Sequence, residues 1–224
     1  MKRIAAGMLV FLIIVGCIGC SNLAINKNNT NSQTEQTNQS EVQTDTKQEP
    51  STSDVDIVVI SSACDILQKA WDTYEDSDSD NNMYNDKFAV MGGHQESYVL
   101  DLPGTYDLSK TSDLERSFCV PTTMAEYVDD VATMMHLMHA NTFSTAALHI
   151  TEDDRVEELV DVLENKLLNQ QWLGGSPDKF VIVTIADNYV VVAFGQEEVV
   201  DYFKAALLLV YENVADIKVE KNIK

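Results

Sequence analysis

The chain has 224 residues and a formal net charge of −21, with 45% hydrophobic residues, so it can build a core while its surface repels anions. Nucleic acid is excluded as a partner, because phosphate binding needs a basic surface. Four cysteines, Cys17, Cys20, Cys64 and Cys119, are too few for a disulfide framework or a zinc ligand set. Two of them lie in the leader. Cys64 and Cys119 are expected to be small buried apolar side chains, and whether they pair is open.

Residues 1–20 read as an export signal with a lipobox. Lys2 and Arg3 form a positive start, and Ile4 to Val15 is an apolar run too short to span the hydrocarbon core comfortably. Ile14-Val15-Gly16-Cys17 resembles the bacterial lipobox, whose cysteine thiol receives a diacylglyceryl group and becomes the mature N-terminus. Cys17 is the expected lipidation site. Cys20 is a second register, with Cys17 in the branched apolar position. Two acyl chains anchor stably, so the expected place is the outer face of the cell membrane.

Residues 21–55 are Asn-, Thr-, Gln-, Ser- and Glu-rich. They cannot bury enough surface to offset the entropy of ordering, so a disordered polar tether is expected. The leader carries two positive charges, and the tether sets Lys27 and Lys47 against five acids; the remaining −20 falls on residues 56–224. Those residues are expected to form a single α+β domain.

Within that domain, Ser61-Ser62 caps a helix with Ala63, Ile66, Leu67, Ala70, Trp71 and Tyr74 on its buried face. The helix ends in an acidic run. Short strands are expected at Phe88 to Met91 and Tyr98 to Leu102, and a short helix at Ser112 to Phe118. Thr123 and Glu126 read as a capping box for a helix with Met124, Tyr127, Val128, Val131, Met135 and Met138 on one face. His139-Ala140-Asn141 would end it. Phe143 to Ile150 reads as a strand.

Thr151 and Asp154 would cap a helix buried through Val156, Leu159, Val160, Leu163 and Leu167. Phe180 to Ala186 and Tyr189 to Phe194 read as a hairpin with a two-residue turn at Asp187-Asn188. A final helix follows Gly195, with Glu197 and Glu198 in its first turn and Val199, Val200, Phe203, Ala206, Leu207 and Val210 buried. These elements predict a small mixed or antiparallel sheet with helices packed on one side.

Several stretches resemble an uncharacterised lipoprotein domain family of clostridia-like Gram-positive bacteria, labelled in genomes as bacteriocin transport accessory proteins. They are Val120 through Tyr127 to Met134-Met135-His136-Leu137-Met138-His139-Ala140-Asn141-Thr142-Phe143, Gln171-Trp172 with Pro177-Asp178-Lys179, and Tyr189 to Gly195. The resemblance covers about Ser61 to Leu209. It implies an envelope role without catalysis, and the family supplies no catalytic residues to carry over.

Asp76, Asp78 and Asp80 have the one-three-five spacing of a calcium loop, but Asn81 replaces the sixth-position Gly and Lys87 the twelfth-position Glu. His136, Met138 and His139 are soft-metal candidates, since imidazole and thioether suit copper. No nucleophile elbow, papain-type cysteine frame, P-loop or dinucleotide fingerprint occurs. The expectation is a non-catalytic binding or accessory module without a cofactor. Its expected partners are the membrane through the lipid, and a cationic peptide or a membrane transport component. The alternatives are a copper-binding protein or an extracellular hydrolase using Cys119 or a serine.

Overall fold

The computed structural model describes residues 59–78, 89–186 and 188–223, without the side chains of 75–78. Residues 1–58, with Cys17, Cys20 and the expected tether, and the residues from 79 to 88 lie outside the described residues.

Helix α1 (Ala63–Asp78) starts where two side chains satisfy its first free amides. Ser62 Oγ accepts the Asp65 N–H at 3.1 Å, and Asp130 Oδ2, 67 residues away, accepts the Ala63 N–H at 2.6 Å. Every residue of the expected apolar stripe, from Ala63 to Tyr74, is buried. Trp71 and Tyr74 stack with ring centroids 4.7 Å apart.

The strands are β1 (Val90–Gly92), β2 (Val99–Leu100), β3 (Gly104–Thr105), β4 (Val128–His136), β5 (Phe143–Ile150), β6 (Lys179–Ile185), β7 (Tyr189–Gly195) and β8 (Ala215–Asn222). They form one eight-stranded sheet in the order β2-β1-β4-β5-β7-β6-β8, with β3 also on β4. Every pairing is antiparallel. Helices α2 (Thr111–Phe118), α3 (Val156–Asn169) and α4 (Glu197–Val210) complete the α+β fold.

The helices cover both faces of the sheet rather than one. Helices α1 and α4 pack on Ala132, Met134, Phe143, Ala147, Val181, Val183 and Val191. Helices α2 and α3 pack on Val131, Ala146, Leu148, Phe180, Ile182, Val190 and Val192. Alternate residues of one strand therefore enter opposite cores, which is why β6 and β7 read as continuous apolar runs. Cys64 and Cys119 are free and belong to opposite cores.

The helix expected over Met124 to Met138 is a strand preceded by a 3-10 stretch, Thr122–Tyr127, that no side chain caps. A β-bulge explains the misreading. Val128 pairs with Ile150 but Asp130 with His149, so β4 carries one extra residue there. The bulge puts Val128 and Val131 in the same core, a spacing of three that mimics a helix. His139-Ala140-Asn141 accordingly lies in the β4–β5 loop and ends no helix. Asp129 and Asp130, read as helical neighbours, split at the bulge: Asp129 meets His149 Nδ1 at 2.6 Å while Asp130 caps α1.

Other differences are local. Thr151 Oγ1 donates to the Tyr127 carbonyl, and α3 follows a 3-10 turn, Asp153–Arg155, instead of a Thr151 or Asp154 cap. The β6–β7 register pairs Ile185 with Tyr189, so the loop has three residues rather than two and closes on Asn188 at φ +62°. Strand β8 escaped sequence reading because it is an edge strand with Val219 as its one buried residue and a register shift opposite Ile182/Val183.

Asp130→Ala is expected to destabilise the domain by about 1–2 kcal/mol in urea unfolding, the usual range for a lost helix cap. Gly195→Ala is expected to be far worse, because its Cβ would stand 2.3 Å from the Thr142 carbonyl oxygen. No soluble folded Gly195→Ala protein, or a loss of several kcal/mol, is the expected outcome.

Candidate functional site

Three connections meet at one end of the sheet: the β4–β5 loop (137–142), the α3–β6 segment (170–178) and the β7–α4 junction around Gln196. Their backbones are tied together. Asp178 N–H donates to the Gly195 carbonyl at 2.8 Å and Gln196 N–H to the Thr142 carbonyl at 2.9 Å. Asn141 Nδ2 donates to the Leu173 carbonyl at 3.0 Å. Inside the β4–β5 loop, His136 Nδ1 accepts the N–H groups of Met138 and His139 at 3.3 and 3.1 Å. Fixed loops on a packed sheet are where binding groups are commonly displayed.

These loops line a cleft of about 450 Å³ to which Thr142, Ser176 and Gln196 contribute. Leu173 and Met138 stand at its rim, 91% and 73% exposed. The cleft shares Asp178 and Gln196 with an open groove of about 700 Å³ along α4, lined also by Glu197, Glu198, Asp201 and Tyr202. An apolar rim beside an acidic groove can hold a ligand with both apolar and cationic parts.

Behind the groove lies a closed ring of charges. Lys179, only 7% exposed, meets Asp201 and Glu220 at 2.6 Å each, and Lys204 meets the same two at 3.0 and 2.7 Å. Burial alone would push the Lys179 ammonium down; the hydrogen bonds to Asp201 and Glu220 outweigh it and raise it above the ordinary lysine value. Burial likewise opposes ionisation of Asp201, but its two lysine partners hold the carboxyl below its usual range. The Lys179 and Lys204 hydrogen bonds lower Glu220 in the same direction. The ring joins α4 to β6 and β8, and so fixes the helix that carries the groove.

The sequence candidates fall out as follows. His136 and His139 do come together, with near-parallel rings 6.3 Å apart, and Met138 is at the cleft rim. Burial, then the nearby His139, pushes the His136 imidazole below its ordinary value. Among the described residues no group of three His, Cys, Asp or Glu side chains is placed to hold a metal. Met134, which the expected helical face left out, is fully buried. The side chains of Asp76 and Asp78, and all of Asp80, lie outside the described residues.

Cys119 donates to Gln170 Oε1 at 3.2 Å, and burial pushes its thiol up to about 12. Burial also raises Cys64, whose Sγ faces the Pro103 carbonyl at 3.8 Å. Thiolate nucleophiles need the opposite shift. His94 bonds Asp113 at 3.2 Å through Nε2 and accepts the Glu96 N–H at Nδ1, so both ring nitrogens are committed. His149 meets Asp129 through Nδ1 and packs against the Tyr189 ring.

Comparison with family models, with curated proteins and with solved structures finds no match. Sequence reading placed Asn141 only at the end of an expected helix and gave Leu173, Ser176 and Gln196 no binding role, because loop residues carry no periodic signal. Glu197 and Glu198 were legible only as helix-dipole acids.

The ring predicts a pH dependence with a definite sign. Asp201 and Glu220 have lowered folded-state pKa values, so their stabilisation is full above the ordinary carboxylate range, about pH 4, and fades as pH falls below it. Urea midpoints should hold between pH 7 and 5 and drop toward pH 3. The Asp201→Asn/Glu220→Gln double variant should start lower at pH 7 and show a shallower drop.

Proposed function

We propose that the chain is an extracytoplasmic lipoprotein that holds its α+β domain at the cell membrane through acyl chains on Cys17 and acts there by binding rather than by catalysis. The reading of the N-terminus rests on the short apolar run followed by Ile14-Val15-Gly16-Cys17. No described helix is long and apolar enough to cross a membrane.

The observation that carries the binding reading is the cleft between the β4–β5 and α3–β6 loops. It is concave, its walls are held by backbone hydrogen bonds, and exposed Leu173 and Met138 flank it. Exposed apolar groups beside a concavity mark interaction sites and ligand-binding grooves. The resemblance to envelope lipoproteins supports the same reading, and a component of a membrane transport assembly is a partner it would fit.

Intact mass spectrometry of the protein purified from its membranes tests the anchor. The expected mature product lacks the first sixteen residues and carries added fatty acyl mass on Cys17. A product that keeps them, or that has no acyl mass, sinks the proposal. Crosslinking in native membranes is expected to capture a specific partner through Leu173 or Met138, and its absence with a lipidated protein would leave an anchor with no binding role at this cleft.

A further inference from the structure

We infer that the cleft and the α4 groove form one continuous docking surface for an extended cationic peptide with apolar residues flanking its basic ones. The inference rests on the binding reading above and names its partner class.

The apolar part comes first. Leu173 and Met138 stand in water at one end. At the other, Tyr202, Ala205 and Leu209 form an exposed stripe on α4, spaced three and four residues apart and therefore on one side of the helix. From Glu197 to Leu209 the helix runs about 18 Å, the reach of five or six extended residues. A surface of this kind costs solvation when bare, so an occupant that covers both ends is favoured.

Charge decides which occupant. Each of the nine described lysines and arginines, from Lys69 to Lys221, already has an acidic partner within the domain. Asp201 in the groove belongs to the Lys179–Lys204 ring. Asp178, Glu197 and Glu198 have no cationic partner among the described residues, and they lie between the two apolar ends. Glu197 and Glu198 stand in the first turn of α4. Complementarity therefore calls for basic side chains at the middle of the peptide and apolar ones at its ends. An anionic lipid surface would be repelled by the same carboxylates.

The test titrates the full chain, in nonionic detergent at pH 7.5 and low salt, with a fluorescent peptide that carries lysines in its middle and leucines at both ends. Detergent alone is the blank. A glutamate–leucine analogue, with every lysine replaced, and a lysine–serine analogue, with every leucine replaced, are the comparison probes. The expected order is lysine–leucine tightest, lysine–serine weaker and glutamate–leucine absent.

Asp178→Asn/Glu197→Gln/Glu198→Gln is expected to weaken the lysine–leucine peptide about tenfold, from three partly screened charge contacts. Asp154→Asn/Asp161→Asn/Glu212→Gln removes the same net charge elsewhere and is expected to change affinity less than about twofold. Leu173→Ser/Met138→Ser should remove most of the advantage of leucine over serine. All of these positions are exposed or at a rim, and matching urea midpoints will establish that each variant is folded.

Equal losses in the two charge variants overturn the inference, because they would show attraction to net charge alone. So does a peptide that fails to bind, or one indifferent to Leu173 and Met138. Membrane crosslinks mapping outside the cleft and groove, on a lipidated protein, would end the inference while leaving the envelope role intact.

Discussion

Burial of the central strands on both faces is the constraint from which the rest follows. Strands β5, β6 and β7 lie inside the sheet and are almost wholly buried, so each consecutive side chain must fit one of two cores. Phe180, Ile182, Val190 and Val192 serve the α2/α3 core; Val181, Val183 and Val191 serve the α1/α4 core. One register slip would exchange the two sets, and large residues such as Phe180 and Phe194 would meet the wrong helix layer.

The α1/α4 layer is held to the sheet by two devices. At α1, the bulge in β4 turns Asp130 toward the first turn of the helix, so a strand carboxylate completes a helix cap. At α4, the Lys179–Asp201–Lys204–Glu220 ring joins the helix to β6 and β8. At the β1–β3 edge, Gly92 and Gly104 let two backbones touch, since a Cβ on Gly92 would lie 2.2 Å from the Gly104 nitrogen. Each device is a contact between residues distant in sequence.

The same scaffold determines where binding groups stand. Because β7 enters α4 through Gly195, beside the start of β5, the acidic first turn of α4 is brought next to the β4–β5 loop. The Lys179 ring holds α4 from below, and Asn141 holds the α3–β6 loop from the side. Apolar rim and acidic groove thus share rigid support, which lowers the ordering cost of capturing a partner.

The sequence by itself determined α1, α3 and α4 through their apolar stripes, the β6–β7 hairpin with Asn188 at its turn, the strand Phe143 to Ile150, and the acidic character of the surface. Those signals are local: periodicity of three to four residues, β-branched runs and turn chemistry act within a few positions of one another. Only the tertiary structure decided that Met124 to Met138 is mostly strand, that β8 belongs to the sheet, and that helices cover both faces. It alone brought Leu173, Met138, Asp178 and Glu197 to one surface. A bulge makes a strand imitate helical spacing, an edge strand has little to bury, and a loop-built cleft has no period, so each is defined by what lies across space rather than along the chain.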